Sequence, residues 1–224
     1  MIEKKIKNII ILLLSIYIVA VSSVSAQSNQ YSEISSRPGA FSRMGFGARG
    51  MGMGNAMSAV NHGDVVAYYN PALSVFQEDN SFQTSYSILS LDRKLNFLSF
   101  TRKFEFGKKK NDKPLTKHKG VAGISVGIIN ASVGNFQERD NQGNVTGELS
   151  PYENQFFIGL ANRFSEKLSL GFNAKFYYSK LYDEITTTTL GIDIGALYLL
   201  NENITISGML TDLVSKYQWN TTPI

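Results

Sequence analysis

The sequence predicts an all-β fold, an antiparallel sheet of the outer-membrane barrel kind preceded by a glycine-rich segment. Three observations carry this. From about residue 81 apolar and polar residues alternate with period two, the period of a strand and not of a helix. The alternating segments run to about 9–14 residues, longer than the mean strand of about 5–6 and suited to a tilted span of the hydrocarbon layer. The amino terminus has the layout of an export signal.

Composition narrows the chemistry. The 224 residues contain no cysteine, which excludes disulfides, thiolate metal sites and a cysteine nucleophile. Only His62 and His118 are histidines, so no metal site is expected. With 18% charged and 12% aromatic residues the chain lacks the composition of a disordered one. A net charge of +4 and a pI near 9.1 raise the question of nucleic acid. The charge sits in two places, however. Glu3, Lys4, Lys5 and Lys7 contribute +2, and residues 107–119, with six lysines and one aspartate, contribute +5, leaving −3 elsewhere. A leader and one loop are not a basic face, so no nucleic-acid partner is expected. The run from Lys108 to Lys119 reads as a solvated loop, with contact to acidic lipid headgroups or a partner as the alternative.

Residues 1–26 read as a secretory signal peptide. Lys4, Lys5 and Lys7 precede the apolar run Ile9 to Val21, and Val24-Ser25-Ala26 supplies small residues for cleavage. The mature chain then begins at Gln27 with a short leader over 27–37. A membrane anchor is the alternative, but this apolar run is shorter than the ~20 helical residues a bilayer requires.

Residues 38–80 form the glycine-rich segment. Gly45-Phe46-Gly47-Ala48-Arg49-Gly50 has the G-x-G-x-x-G spacing of dinucleotide sites, which need a strand before and a helix after. Pro38, Gly39 and Ser42 precede it, and Gly52 and Gly54 interrupt any helix. The structural reading is preferred: a chain using glycine for positive φ and close packing in a confined space. Gly63-Asp64 suggests a turn. Asn70-Pro71-Ala72-Leu73 reads as a helix start, with Asn70 capping and Pro71 at the first helical position, where no N–H is needed. Leu73, Val75 and Phe76 would anchor that helix, though an ordinary capped turn also suits these residues. His62 and Asp64 read as loop residues in preference to an acid–base pair. No other catalytic constellation is present, so neither enzymatic activity nor a cofactor is expected.

Residues 81–224 carry about seven strands. Leu168 to Ser179 places Leu168, Leu170, Phe172, Ala174, Phe176 and Tyr178 on one face and Ser169, Gly171, Asn173, Lys175, Tyr177 and Ser179 on the other. Leu190 to Tyr198 repeats the pattern. Weaker alternation marks Ser81 to Leu89, Leu95 to Phe104, Gly120 to Asn130, Glu153 to Phe164 and Ile204 to Leu210. Ser165-Glu166-Lys167 and Asn201-Glu202-Asn203 fit short turns, whereas Glu138 to Gly147 and Leu181 to Thr187 are longer polar excursions. Short turns at one end and longer loops at the other are a barrel habit. A secreted β-sandwich also alternates, but its outer face usually carries Lys, Glu and Thr. Here the polar face is rich in Gly, Ser and Asn. The alternation does not say which face is wet. If the hairpin centres on Glu184, Lys175 lies opposite Asp193 as a lumenal pair worth ~0.2–1 kcal/mol, and Phe176 lies opposite Ile192.

Gly47-Ala48-Arg49-Gly50-Met51-Gly52-Met53-Gly54-Asn55-Ala56 followed by Tyr68-Tyr69-Asn70-Pro71-Ala72-Leu73 resembles the amino-terminal signature of the PorV/PorQ family, which belongs with the FadL-type outer-membrane barrels. Arg139-Asp140, Ser169-Leu170-Gly171, Lys175 and Gly191-Ile192-Asp193 extend the resemblance over about residues 38–219. It implies a FadL-like barrel with residues 38–80 as a hatch inside it, whose motif residues are Gly47, Arg49, Gly50, Gly52, Gly54, Asn70, Pro71 and Ala72. It implies outer-membrane lipid as surroundings and a place in type IX protein secretion in Bacteroidota, with secretion proteins and cargo as partners. FadL-type members instead pass hydrophobic small molecules, and that role is the alternative; a secreted structural or adhesion protein is a third. About seven strands is fewer than the eight of the smallest even-numbered barrel, so an incomplete barrel with closing strands beyond Ile224 is expected.

Overall fold

The structure, a computed structural model, describes residues 37–63, 66–106, 120–182 and 185–219. The export signal, the leader up to residue 36, Asp64 and the lysine run within 107–119 lie outside the described residues. The segment before the sheet contains a 3₁₀ turn (Ala40–Met44), the short helix α1 (Gly47–Gly52) and a 3₁₀ helix (Pro71–Phe76). Among the described residues nine strands follow: β1 (Ser81–Leu89), β2 (Arg93–Phe106), β3 (Gly120–Val133), β4 (Phe136–Arg139), β5 (Val145–Leu149), β6 (Tyr152–Arg163), β7 (Leu168–Tyr182), β8 (Ile185–Leu199) and β9 (Thr205–Leu213). Seven make one antiparallel sheet in the order β1-β2-β3-β6-β7-β8-β9. Every one of the alternating segments is a strand of that sheet. β1 and β9 are its edges, and among the described residues no pairing joins them.

Two connections differ from expectation. The excursion from Glu138 to Gly147 is mostly a second hairpin, β4–β5, standing apart from the large sheet. Its turn is closed by Asp140, whose Oδ1 accepts from the backbone N–H groups of Gln142 and Asn144 at 2.9 Å each, while Gly143 takes φ 85°. The excursion from Leu181 to Thr187 is largely strand, because the β-branched run Ile185 to Thr189 carries β8 down to residues 183–184. That moves the register by two: Lys175 faces Gly191, Asn173 faces Asp193, and Phe176 faces Leu190 instead of Ile192. Connection lengths are therefore not sorted by end. Among the described residues, turn 90–92 and hairpin β4–β5 share one end, here the hairpin end, and the short connections 164–167 and 200–204 share the other.

The sheet buries its polar face. Asn173 and Asp193 are 0% exposed and Lys175 4%, whereas Ile158 is 56% exposed and Leu190 66%. What covers the polar face is the glycine-rich segment. On that face Gly123, Ala161, Gly171 and Gly195 stand opposite one another in β3, β6, β7 and β8. A row of small residues in register makes a shallow trough at right angles to the strands, and the 3₁₀ helix Pro71–Phe76 lies in it. A β carbon on Gly123 would overlap Ser74, one on Gly171 the backbone of Pro71 and Ala72, and one on Gly195 the side chain of Asn70.

Asn70 fixes the start of this helix. Its Oδ1 accepts from the Ala72 N–H at 3.0 Å, and its Nδ2 donates to Ser58 O at 3.0 Å and Ala196 O at 3.2 Å. Ser169 Oγ donates to Ala72 O at 3.2 Å. Leu73 packs on Leu197, and Val75 on Val121 and Ala161. A second apolar cluster, nearer the hairpin end, holds the earlier part of the segment. There Phe46 stacks on Phe97 at 4.8 Å between centroids, and Tyr68 meets Phe157 edge-on at 5.4 Å.

Backbone contact across the trough leaves a side chain no room to rotate away. Gly171→Val is expected to lower stability by about 1–3 kcal/mol or more, read as a lower urea midpoint of the refolded protein. Gly208→Ala, with nothing within 4 Å of its β carbon, is expected to shift that midpoint little.

Candidate functional site

The outward face is built in rows across the strands. Leu98, Ile128, Phe156, Phe176 and Leu190 form one row, and Phe82, Phe100, Val126, Ile158, Ala174 and Ile192 the next. A third runs through Ile124, Leu160, Phe172, Ile194 and Leu210 and begins with Arg102, the exception, whose guanidinium carbon lies 5.0 Å from the Phe104 ring centroid. Monomeric soluble proteins rarely leave a contiguous apolar surface of this extent uncovered. Toward the hairpin end the face changes at one step. Asn96, Asn130 and Asn154 stand in register between Tyr86 and Tyr178, with Asn96 Nδ2 donating to Asn130 Oδ1 at 3.1 Å and Asn130 Nδ2 to Asn154 Oδ1 at 2.8 Å.

The buried face holds an ion network. Lys175 Nζ lies 2.8 Å from Asp193 Oδ2 and 3.2 Å from Asp212 Oδ1. Lys175 and Asp193 meet on the diagonal of the β7–β8 ladder, each sharing a face with the other at i, j+2, and not as the directly opposed pair that a turn centred on Glu184 implies. Asp193 also accepts from Asn173 Nδ2 at 3.3 Å and, through Oδ1, from the Asp212 N–H at 2.9 Å. Tyr177 donates its hydroxyl to Asp212. The glycine-rich segment contributes Tyr68, whose ring centroid is 5.4 Å from the Lys175 ammonium. Burial pushes the Tyr68 hydroxyl above its ordinary range, with the charge of Lys175 acting against that. A cavity of about 250 Å³ opens beside the network, bounded by Ser42, Tyr68, Tyr69, Asp193 and Asp212.

The hatch-motif residues divide into two groups. Asn70, Pro71 and Ala72 sit in the trough. Gly47, Arg49, Gly50, Gly52 and Gly54 belong to α1 and the turn after it: Gly47 N–H donates to Ser85 Oγ at 3.3 Å, Arg49 Nη1 donates to His62 O at 3.3 Å, and Gly50 backs onto Tyr69. His62 is exposed. Sequence reasoning missed Asp212, Tyr177 and Tyr68. Asp212 lies beyond the alternation of Ile204 to Leu210 and so carries no periodic signal; a register shift against β8 and a φ of 55° swing it inward. Among the described residues no group of three His, Cys, Asp or Glu side chains could hold a metal, and no helix is long and apolar enough to cross a membrane. Compared with known proteins, no family model matches the chain, and neither a curated protein nor a solved structure does.

One cation holds two carboxylates here, so removing it strands both. Lys175→Met is expected to cost about 3–5 kcal/mol, more than Asp212→Asn. Adding Asp193→Asn to Lys175→Met should recover part of the loss, because a buried unpaired charge disappears. Urea unfolding of the three variants in detergent micelles reads the order.

Proposed function

We propose that this chain is a non-enzymatic outer-membrane β-barrel protein of PorV/PorQ type that works in type IX protein secretion, accompanying cargo to its attachment at the cell surface. The observation that carries the membrane placement is the polarity of the sheet. A soluble sandwich buries its apolar face and wets the polar one. Here Lys175, Asn173 and Asp193 are enclosed while three outward rows are apolar except for Thr84 and Arg102 on β1 and β2. Strands of 12–15 residues in β2, β3, β6, β7 and β8 supply the length that a tilted span needs. The Gly47–Ala56 and Tyr68–Leu73 motifs carry the family reading, and the segment that bears them lies on the inward face of the wall. Export through the signal at 1–26 belongs to the same proposal.

A second reading, passage of hydrophobic small molecules, is favoured by one feature. At the hairpin end Phe41, Met44, Leu89 and Val133 are among the apolar residues that line a cavity of about 430 Å³. A deletion strain separates the two. Loss of surface-attached cargo with normal uptake of fatty acids is expected; normal cargo with lost uptake would sink the secretion role.

The membrane placement has its own test. Ile158→Lys puts a charge in the middle outward row, where lipid exposure costs about 2–4 kcal/mol. The expected outcome is recovery of wild type in the outer-membrane fraction and a sharp fall for the variant. Wild type recovered from the soluble periplasm, with the variant folding better, would favour a secreted sheet protein.

A further inference from the structure

Part of the β8 edge has no strand beside it. β9 pairs with β8 over residues 192–199, and among the described residues no ladder partner reaches 185–191 from that side. Within this gap Leu190 belongs to the first apolar row and Thr188 to the asparagine row. In a bilayer, backbone groups left unpaired at the depth of an apolar row have no water to turn to.

The chain after β9 lies beside that gap. It does not continue as strand but turns at Val214, whose φ of 61° is costly for a β-branched residue, and folds over the inner face. There Tyr217 is buried and meets the Tyr177 ring edge-on at 6.5 Å, and Trp219 lines the cavity of about 430 Å³. Two hydrogen bonds run along β8. Lys216 N–H donates to Thr189 Oγ1 at 3.4 Å, and Thr187 Oγ1 donates to Gln218 O at 2.8 Å. Carried on antiparallel from the pair Ile192–Leu213, the β8–β9 ladder would set Thr189 against Lys216 and Thr187 against Gln218. The tail therefore already stands in ladder register with β8, held by threonine hydroxyls in place of the backbone.

From this register we propose that residues 214–219 zip onto the open edge of β8 in the membrane and lengthen β9 toward the hairpin end, a reading that rests on the membrane placement above. Thr189 shares the inner face with the buried Tyr177, so Lys216 and Gln218 stay on that face while Tyr217 and Trp219 pass to the outer one. Tyr217 then joins the asparagine row beside Thr188, with Tyr86 and Tyr178. Trp219 joins the next row beside Thr186, with Tyr152. Such rings favour the boundary between lipid and water. Zipping gives up the Tyr177 contact, but it pairs the β8 backbone and returns Val214 to an extended φ. In water the first of those gains is small, because solvent already bonds the open edge. The surroundings thus select the arrangement, and departure of Trp219 widens the cavity at the hairpin end.

Trp219 is the single tryptophan of the chain, so its emission reports on the tail alone. The full chain is folded into phosphatidylcholine vesicles whose acyl chains carry bromine either near the headgroup or near the bilayer centre. Loss of most of the Trp219 emission to the shallow bromines, and of less to the deep ones, is expected. A ring on the inner face is screened from lipid by the wall and keeps its emission. Trp219→Phe combined with Tyr178→Trp supplies the lipid-facing reference. Val214→Gly removes the cost of a positive φ and is expected to retain more emission than wild type; if it fails to fold, wild type alone decides. Trp219 emission untouched at both depths while the reference is quenched would overturn the proposal. Stronger quenching by the deep bromines, or stronger quenching of Val214→Gly than of wild type, would do the same. A reference that is itself unquenched would sink the membrane placement instead.

Discussion

A polar face can be buried only if something meets its hydrogen-bonding groups, and the sheet depends on that constraint. The wall turns Ser169, Asn173, Lys175, Tyr177 and Asp193 inward and leaves Phe156, Ile158 and Phe172 outside. Side chains of the wall meet one another in the ion network, and the glycine-rich segment meets Ser169 and the β8 backbone, while Ser125 Oγ and Asn173 Oδ1 are buried without a hydrogen-bond partner. Asn70 supplies the most connected contact, accepting from its own helix and donating to both Ser58 and the β8 backbone. Without the trough of Gly123, Ala161, Gly171 and Gly195 that contact could not form, because any larger residue would hold the helix off the wall.

The ion network ties the two parts by a different force. Lys175 faces two carboxylates and an aromatic ring, and only the ring belongs to the inner segment. Buried charges of this kind are weak sources of net stability but strict in geometry. The arrangement fixes where Tyr68 sits and leaves α1, with its exposed Met51, lightly held.

Much of the fold was legible because its signals are local. Period-two alternation marks all the strands of the large sheet, and β1 has the bounds its sequence suggests. The cap at Asn70 and Pro71 needs only neighbouring residues, so it too could be read directly. Hairpin β4–β5 escaped because its strands are short and rich in charge. The β7–β8 register was off by two because the threonine run at 186–189 reads as polar loop, although β-branching makes it strand. Two features of the site are non-local and had no linear signal. Alternation is the same whichever face is wet, so the inversion of polarity could not be read from it. The glycine trough exists only once three registers align Gly123, Ala161, Gly171 and Gly195.

The direction of the 3₁₀ helix carries a mechanical consequence. Asn70 rests on β8, Ala72 on β7 and Ser74 on β3, so the helix crosses the planks of the wall like a batten. A batten holds side by side the boards it is fixed to. Neighbouring strands β3, β6, β7 and β8 are thereby fastened to one short crosspiece on one face, in addition to the ladder bonds that join each to the next.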